Sequence, residues 1–386
     1  MPNGDMVQVH LLTAYPAALL NRDDAGLAKR IPFGGSVRTR VSSQCLKKHW
    51  REAPDVARLG EMADRSTRIY EQRIMEPLVS EHGASEAEAL AIAKYLMART
   101  VDTKPVKGEG DAETARSAQL LVLSRAETRF LAEKAAELLA LLRAAGASAT
   151  DTKELEKVFP LDKAAKRDLE KQLKALPASI DTALFGRMVT SDLFARVDAA
   201  VSVAHGFTTH GEASETDYFT AVDTLKGAGD DAGAGLINDT ELTTGVFYTY
   251  AVIDMQQLRD NLGAEAESAE QLAVNLVRAM ATVSPGAKRG STAPYAYAEM
   301  VLLERGAQQP RTLANAFLEP VKANGTAIMP ASVSALLGYR TQLEGMYGAF
   351  EGEQALSTIH RSALGNSGPE PVALRDALEK VFHTEA

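Results

Sequence analysis

Across 386 residues the sequence has a single cysteine, Cys45. That excludes an internal disulfide framework and any all-cysteine zinc site, and it fits a reducing compartment. No apolar run approaches the ~20 residues that a membrane span needs. The opening stretch lacks the charged, apolar and small-residue order of a signal peptide, so a cytoplasmic protein is expected. Motifs for chemistry are missing as well. His205 and His210 have no Cys, His or acid cluster at a metal-ligand spacing around them and read as structural histidines. There is no Gly-x-Ser-x-Gly elbow. The stretch Ser284-Pro285-Gly286-Ala287-Lys288-Arg289-Gly290-Ser291-Thr292 has the ingredients of a P-loop in the wrong order, because Lys288 precedes Gly290. Cys45 has a basic neighbourhood able to lower its pKa but no identifiable partner. No cofactor, no metal and no enzymatic activity are expected.

What is present is an ordinary globular composition, 45% hydrophobic and 24% charged, on a chain long enough for one elaborated domain or two to three units of usual size. The net charge of −9, from 42 Lys+Arg against 51 Asp+Glu, would disfavour a nucleic-acid partner if it were evenly spread. It is not. Between Arg38 and Arg51 stand Arg38, Arg40, Lys47, Lys48 and Arg51 with no acid among them.

Alternation of Val7, Val9 and Leu11 with Gln8, His10 and Leu12 predicts an N-terminal strand. A polar loop follows at Asn21-Arg22-Asp23-Asp24, then a turn at Pro32-Phe33-Gly34-Gly35 and a short strand from Val37 to Val41. Ser42 or Ser43 would cap a helix running from Gln44 to Arg51. Residues 55–182 are dominated by Ala, Leu, Glu, Lys and Arg, with helical spacing in Ser85–Thr100, Arg116–Ala145 and Leu161–Leu176. Strand character returns at Val197–Phe207 and is strongest at Val246–Ile253. The intervening His210–Thr244 is rich in Gly, Asp and Thr and predicts a protruding loop or hairpin. Ser268 and Gln271 suggest a capping box opening a helix to about Thr282, with loops and helices beyond. Strands at both ends of a helical block predict an α+β fold whose sheet domain is discontinuous.

Two constellations stand out. A serine-capped helix offers unpaired N–H groups and a positive dipole end, and Arg38, Arg40, Lys47 and Arg51 are spaced to converge with it on consecutive phosphates. The bland alternative is a solvated basic face with an ordinary cap. The second is Asp217-Tyr218-Phe219-Thr220-Ala221-Val222-Asp223, where adjacent aromatics in a polar excursion suit base stacking, or else anchor the loop to its domain. Lys288 in its Gly-rich loop is a further phosphate candidate, or part of a plain surface turn.

Several blocks in series carry a resemblance. They are Leu20-Asn21-Arg22-Asp23-Asp24, Phe33-Gly34-Gly35, Arg38-x-Arg40-Val41-Ser42-Ser43-Gln44-x-Leu46-Lys47, Leu184-Phe185-Gly186-Arg187-Met188 and Val197-Asp198-Ala199-Ala200. Ala204-His205-x-x-Thr208-Thr209-His210, the Asp217–Asp223 block and Gly245-Val246-Phe247-Tyr248 complete the series. In this order and spacing the chain resembles the Cas-seven family, in its CasC (Cse-type) branch of type I-E CRISPR Cascade backbone subunits. The resemblance implies an RRM-like (ferredoxin-like) palm at 1–54, 183–207 and 245–386. It further implies a helical fingers insertion at 55–182 and a thumb hairpin at 208–244. It implies a non-catalytic crRNA-binding protein for antiviral defense, stacking head-to-tail with copies of itself in a helical oligomer and presenting the guide to target DNA. The other partners implied are the large and small Cascade subunits and the Cas-five and Cas-six family proteins, with no membrane.

By the same resemblance Arg22, Ser42, Gln44, Lys47, Lys48 and Arg51 hold the guide backbone, Tyr218 and Phe219 sit against bases, and Met188 is an apolar wedge. The chain departs from many relatives in having Tyr218 for tryptophan, Cys45 for serine and an enlarged thumb. More distant type III relatives cut RNA with a palm-loop aspartate, which makes a metal-dependent ribonuclease using Asp23 or Asp24 the alternative. A structural filament protein that binds no nucleic acid is a third possibility.

Overall fold

Gln8 and His10 alternate with the apolar residues of the first strand and are nevertheless buried with them, because the strand lies in the middle of a sheet and has cover on each face. The structure is a computed structural model. It describes residues 4–101, 105–150, 152–160, 163–187, 193–194, 196–221, 236–365 and 367–384. The strands in chain order are β1 (Met6–Ala18), β2 (Arg30–Phe33), β3 (Ser36–Val41), β4 (Asp64–Ser66), β5 (Leu121–Leu123) and β6 (Val201–Val203). β7 (Gly206–Thr208), β8 (Ser214–Ala221), β9 (Leu236–Asp254), β10 (Met300–Gly306) and β11 (Glu353–Thr358) follow. With antiparallel sheet and helices in separate stretches of sequence, the fold is α+β.

The chain forms two compact units. The first comprises Met1–Val56, Val201–Gln256 and Glu267–Ala386, the second Ala57–Ala200 with Gln257–Ala266. Residues 257–266, which the sequence assigns to the C-terminal palm segment, thus cluster with the second unit.

In the first unit the strand order is β11-β10-β1-β9-β7-β3-β2, with β6 and β8 also paired to β9. β9 is the organising strand, 19 residues long. Its first half pairs with β8 as a hairpin, and its second half lies between β1 on one side and β7 and β6 on the other. Excursion and central strand are therefore one continuous element. The β2–β3 hairpin turns on Gly34 and Gly35, both at positive φ, as two-residue hairpin turns demand.

One sheet face carries Leu12, Tyr248, Met300, Leu302 and Leu356 against Val333, Leu336 and Leu337 of the helix Ile328–Tyr347, with Phe317 below. The same face holds a buried polar network. His10 Nδ1 lies 2.9 Å from the Tyr248 hydroxyl, and Gln8 Oε1 accepts from Tyr250 (3.0 Å) and from the Arg311 amide (2.7 Å). Glu304, also fully buried, accepts from Arg340 at 2.8 Å and Arg311 at 3.2 Å. On the opposite face helix α1 (Ser43–Arg51) packs beside Ala269–Thr282, with Leu46 and Trp50 buried.

Among its described residues the second unit is mainly helical, with the β4–β5 ribbon beside the helices. Its two longest helices, Glu86–Thr100 and Arg125–Ala144, each open with a complete capping box, Ser85/Glu88 and Ser124/Glu127. Ile92, Leu96, Leu131, Leu138, Leu139 and Leu142 are core residues.

Several sequence expectations are corrected. Arg116–Ala145 is not one helix: Leu121–Leu123 pairs as β5 before the Ser124 cap, since a three-residue apolar run has no usable period. Val197–Phe207 is two short strands, with Val197 only in an isolated bridge to Arg187. Ser268 forms no capping box. A 3₁₀ turn, Gly263–Ser268, runs into the next helix and leaves Ser268 already helical (φ −81°, ψ −5°), while Gln271 bonds to Asn275 instead. The stretch after residue 299 contains two sheet strands, β10 and β11, rather than only helices and loops. Among the described residues no helix is long and apolar enough to cross a membrane.

Candidate nucleic-acid interface

The extended backbone of β3 runs straight into Ser42 (φ −69°, ψ 146°), whose Oγ accepts from the Cys45 amide at 3.3 Å, so Ser42 and not Ser43 is the cap. Leu46 and Trp50, four apart, pin α1 to the core and turn Gln44 and Lys48 out to solvent, with Lys47 and Arg51 half-buried. The helix start is better satisfied than the sequence suggests. The Ser42 amide donates to Asn21 Oδ1 (2.9 Å), and the Ser43 amide donates to His205 Nδ1 (3.0 Å). Ser42 itself is buried, with its oxygen spent on the cap, which removes it from the set of direct phosphate contacts. Burial, reinforced by the Arg40 and Lys29 charges, lowers the His205 pKa and so leaves Nδ1 unprotonated to accept. His210 is structural in the same way: Nδ1 donates to Gly211 O (2.7 Å) and Nε2 accepts the Val246 amide (3.2 Å).

Arg38 and Arg40 share a side of β3 but not a role. Arg38 is 0% exposed and donates to the carbonyls of Thr208 (3.0 Å) and Phe317 (2.8 Å), with the Phe33 ring 5.7 Å from its guanidinium carbon. It ties three segments of the core together and cannot reach a phosphate. Arg40 stays half-exposed, its Nη1 3.4 Å from His205. Glu52, one residue past the basic run, pairs with Lys48 (3.7 Å) and Arg51 (3.9 Å). The Lys48 contact is exposed on both sides and of the kind worth little in water, whereas the Arg51 side chain is only 19% exposed.

Other cations join the cluster. Burial raises the Cys45 thiol, opposed by Lys48, Lys29 and Arg289, and burial likewise lowers His49, reinforced by Arg289 and Lys48. The thiol is thus raised rather than activated, which corrects the expected lowering. Lys29 and Arg289 lie outside the basic run of 38–51 in the sequence, and only the fold brings their charges to bear on Cys45 and His49. The Ala287 amide bond to the Leu19 carbonyl (2.8 Å) shows how the 284–292 loop reaches this region. Arg22 is exposed on the adjoining loop.

In that loop Asp23 Oδ1 accepts from the amides of Ala25 (2.9 Å) and Leu27 (3.0 Å), the signature of a turn former. Among the described residues no three His, Cys, Asp or Glu are grouped to hold a metal ion.

The hairpin β8–β9 carries the aromatic pair. Tyr218 opposes Asp239 and Phe219 opposes Asn238, so adjacent side chains leave opposite faces. Tyr218 is 64% exposed and Phe219 39%. Thr220 is exposed beside them. Lys288 does not stand free in its loop: its Nζ bonds Thr240 Oγ1 and lies 5.6 Å from the Phe219 ring centroid. Met188 and the 227–235 stretch lie outside the described residues. The structure therefore gathers Arg40, Lys48, Lys29 and Arg289 around the start of α1, sets Lys288 against the hairpin, and withdraws Arg38 and Ser42.

Comparison with curated protein sequences returned no match. Among solved structures, the chain is similar to a component of a "CRISPR RNA-guided surveillance complex, pre-nicking" at 25% identity and a TM-score of 0.80, covering 98% of this chain and 99% of that one. A second structure, titled "CRISPR RNA-guided surveillance complex", shares the fold at 22% identity and a TM-score of 0.71 over the same shares. The family model described as CT1975-like protein matches residues 7–383. With nearly its whole length inside that match, the chain belongs to the CT1975-like protein family.

Proposed function

We propose that this protein is the guide-RNA-binding backbone subunit of a type I-E CRISPR Cascade surveillance complex. The observation that carries the reading is the end-to-end likeness, at 25% identity, to a chain of an RNA-guided surveillance complex. The first unit serves as an RRM-like palm, the helical unit as fingers and the β8–β9 hairpin as a thumb. Copies stack head-to-tail along crRNA in the cytoplasm, a heterologous contact whose length the guide limits. Large, small, Cas-five and Cas-six family subunits complete the particle. Arg22, Arg40, Gln44, Lys47, Lys48 and Arg51 grip phosphates, with Lys29 and Arg289 adding to the field, and Tyr218 and Thr220 meet the bases. Such contacts position RNA without reading it, leaving target-DNA recognition to base pairing. The protein performs no chemistry.

The test is salt-titrated binding of labelled guide RNA to wild type and Lys47→Ala/Lys48→Ala, with the size of the complex recorded. Cooperative, sequence-tolerant binding whose salt dependence flattens in the variant is expected, since fewer counterions are displaced. Salt-insensitive binding, or an unchanged slope, overturns the phosphate grip.

A further inference from the structure

The base of the β8–β9 hairpin is held from both faces by cations that come from elsewhere in the chain. On one face, Arg30 pairs with Glu241 through Nη2 and donates from Nε to Glu212 at 2.5 Å. The same arginine reaches the Ala28 carbonyl at 3.1 Å, and the Ala28 amide donates to Glu241 Oε2 at 2.6 Å. On the other face Lys288 holds Thr240 and covers the Phe219 ring. Thr240 and Glu241 are consecutive in β9, so their side chains leave opposite faces of the ribbon. Glu241 is buried, which spares its ion pair much of the screening that weakens exposed ones.

A two-stranded ribbon is marginal by itself and bends at its base. Tyr218 stands four residues beyond Ser214, where β8 begins, on an arm of ~13 Å at ~3.3 Å per residue. On that arm a tilt of about 10° displaces Tyr218 by ~2 Å, well over half a residue of strand. Something must fix the angle if the hairpin is to place a side chain reproducibly.

We infer that Arg30 and Lys288 are positioning residues, a two-sided clamp that sets the direction in which the hairpin leaves the sheet and so the place at which Tyr218 is presented to the guide. The second half of this inference rests on the proposed function; the clamp itself does not.

The test is amide hydrogen exchange over residues 214–221 in the full-length protein without RNA, comparing wild type, Arg30→Ala, Arg30→Lys and Lys288→Met. It is followed by binding of wild type, Arg30→Ala and Arg30→Lys to an RNA spanning one copy and to one spanning several. Arg30→Ala should speed exchange in 214–221 by about tenfold while β1 is unchanged, with partial return in Arg30→Lys and a smaller rise in Lys288→Met. One-copy affinity should stay within about threefold, whereas half-saturation of the several-copy RNA should rise about tenfold. Unchanged exchange in Arg30→Ala and Lys288→Met overturns the clamp. Faster exchange with equal losses on both RNAs overturns its role in spacing. A wild-type protein that binds neither RNA overturns the functional reading, and with it the presentation of Tyr218, while the exchange result decides the clamp.

Discussion

Tyr218 and Phe219 are neighbours in the chain and face opposite ways: Phe219 turns its ring to Lys288, 5.6 Å away, while Tyr218 stands 64% exposed on the other face. The two aromatics therefore cannot stack on the same base. Tyr218→Ala should weaken RNA binding by about tenfold with an unchanged salt slope, because stacking displaces no counterions. Phe219→Ala should mainly loosen the hairpin, read as faster amide exchange. Equal loss of affinity in both variants would contradict this division.

Arg38 and Arg40 should separate cleanly in stability and binding. Arg38→Ala strands two buried carbonyls, Thr208 and Phe317, and should cost on the order of 3 kcal/mol in denaturant unfolding with no change in salt slope. Arg40→Ala should leave stability within about 0.5 kcal/mol and lower the salt slope by about one.

The Gly34-Gly35 turn makes a graded prediction. A Cβ on Gly34 would fall 1.5 Å from the Leu318 carbonyl oxygen, so Gly34→Ala forces main chain apart and should cost more than ~3 kcal/mol or prevent folding. Gly35→Ala meets nothing within 4 Å and should cost only the left-handed strain at φ +74°, about 1 kcal/mol. Thermal midpoints of the two variants test the order.

The buried carboxylate Glu304 sets an acid limit. Burial alone would raise its pKa, but contacts with His10, Arg311 and Arg340 outweigh that and hold it at about 2, against 4.5 when free. Among the groups that lower it, His10 acts most strongly, and the Arg311 and Arg340 guanidiniums add to it. Because the folded pKa is depressed, the stabilisation is present in full above pH 4.5 and is lost as pH falls toward 2. Glu304→Gln should therefore cost on the order of 3 kcal/mol at pH 7. That gap to wild type should close across the acid window; a gap independent of pH would mean the carboxylate's charge is not what matters.

Local signals in the sequence located most elements. The capped start of α1, the glycine pair of the β2–β3 turn and the helical spacing of 86–100 all depend on contacts within a few residues, and each appears where its signal stands. Where those signals misled, a partner far along the chain had intervened. Ser124 opens its helix only after Leu121–Leu123 has been taken by Asp64–Ser66, and the β10 strand is recognisable only beside β1.

The candidate site divides in the same way. Sequence by itself determined that a basic run enters a capped helix and that an aromatic pair rides on a polar excursion, because charge, cap chemistry and strand alternation are local properties. Only the tertiary structure decided which cations are available. Arg38 looks like Arg40 in sequence, yet it is buried because the carbonyls of Thr208 and Phe317, 170 and 279 residues away, converge on it. Arg30 carries no motif at all and acquires its place from Glu212 and Glu241, whose positions follow from the long pairing of β8 with β9. Charge is written in the chain one residue at a time, whereas desolvation and pairing belong to whatever the fold brings alongside.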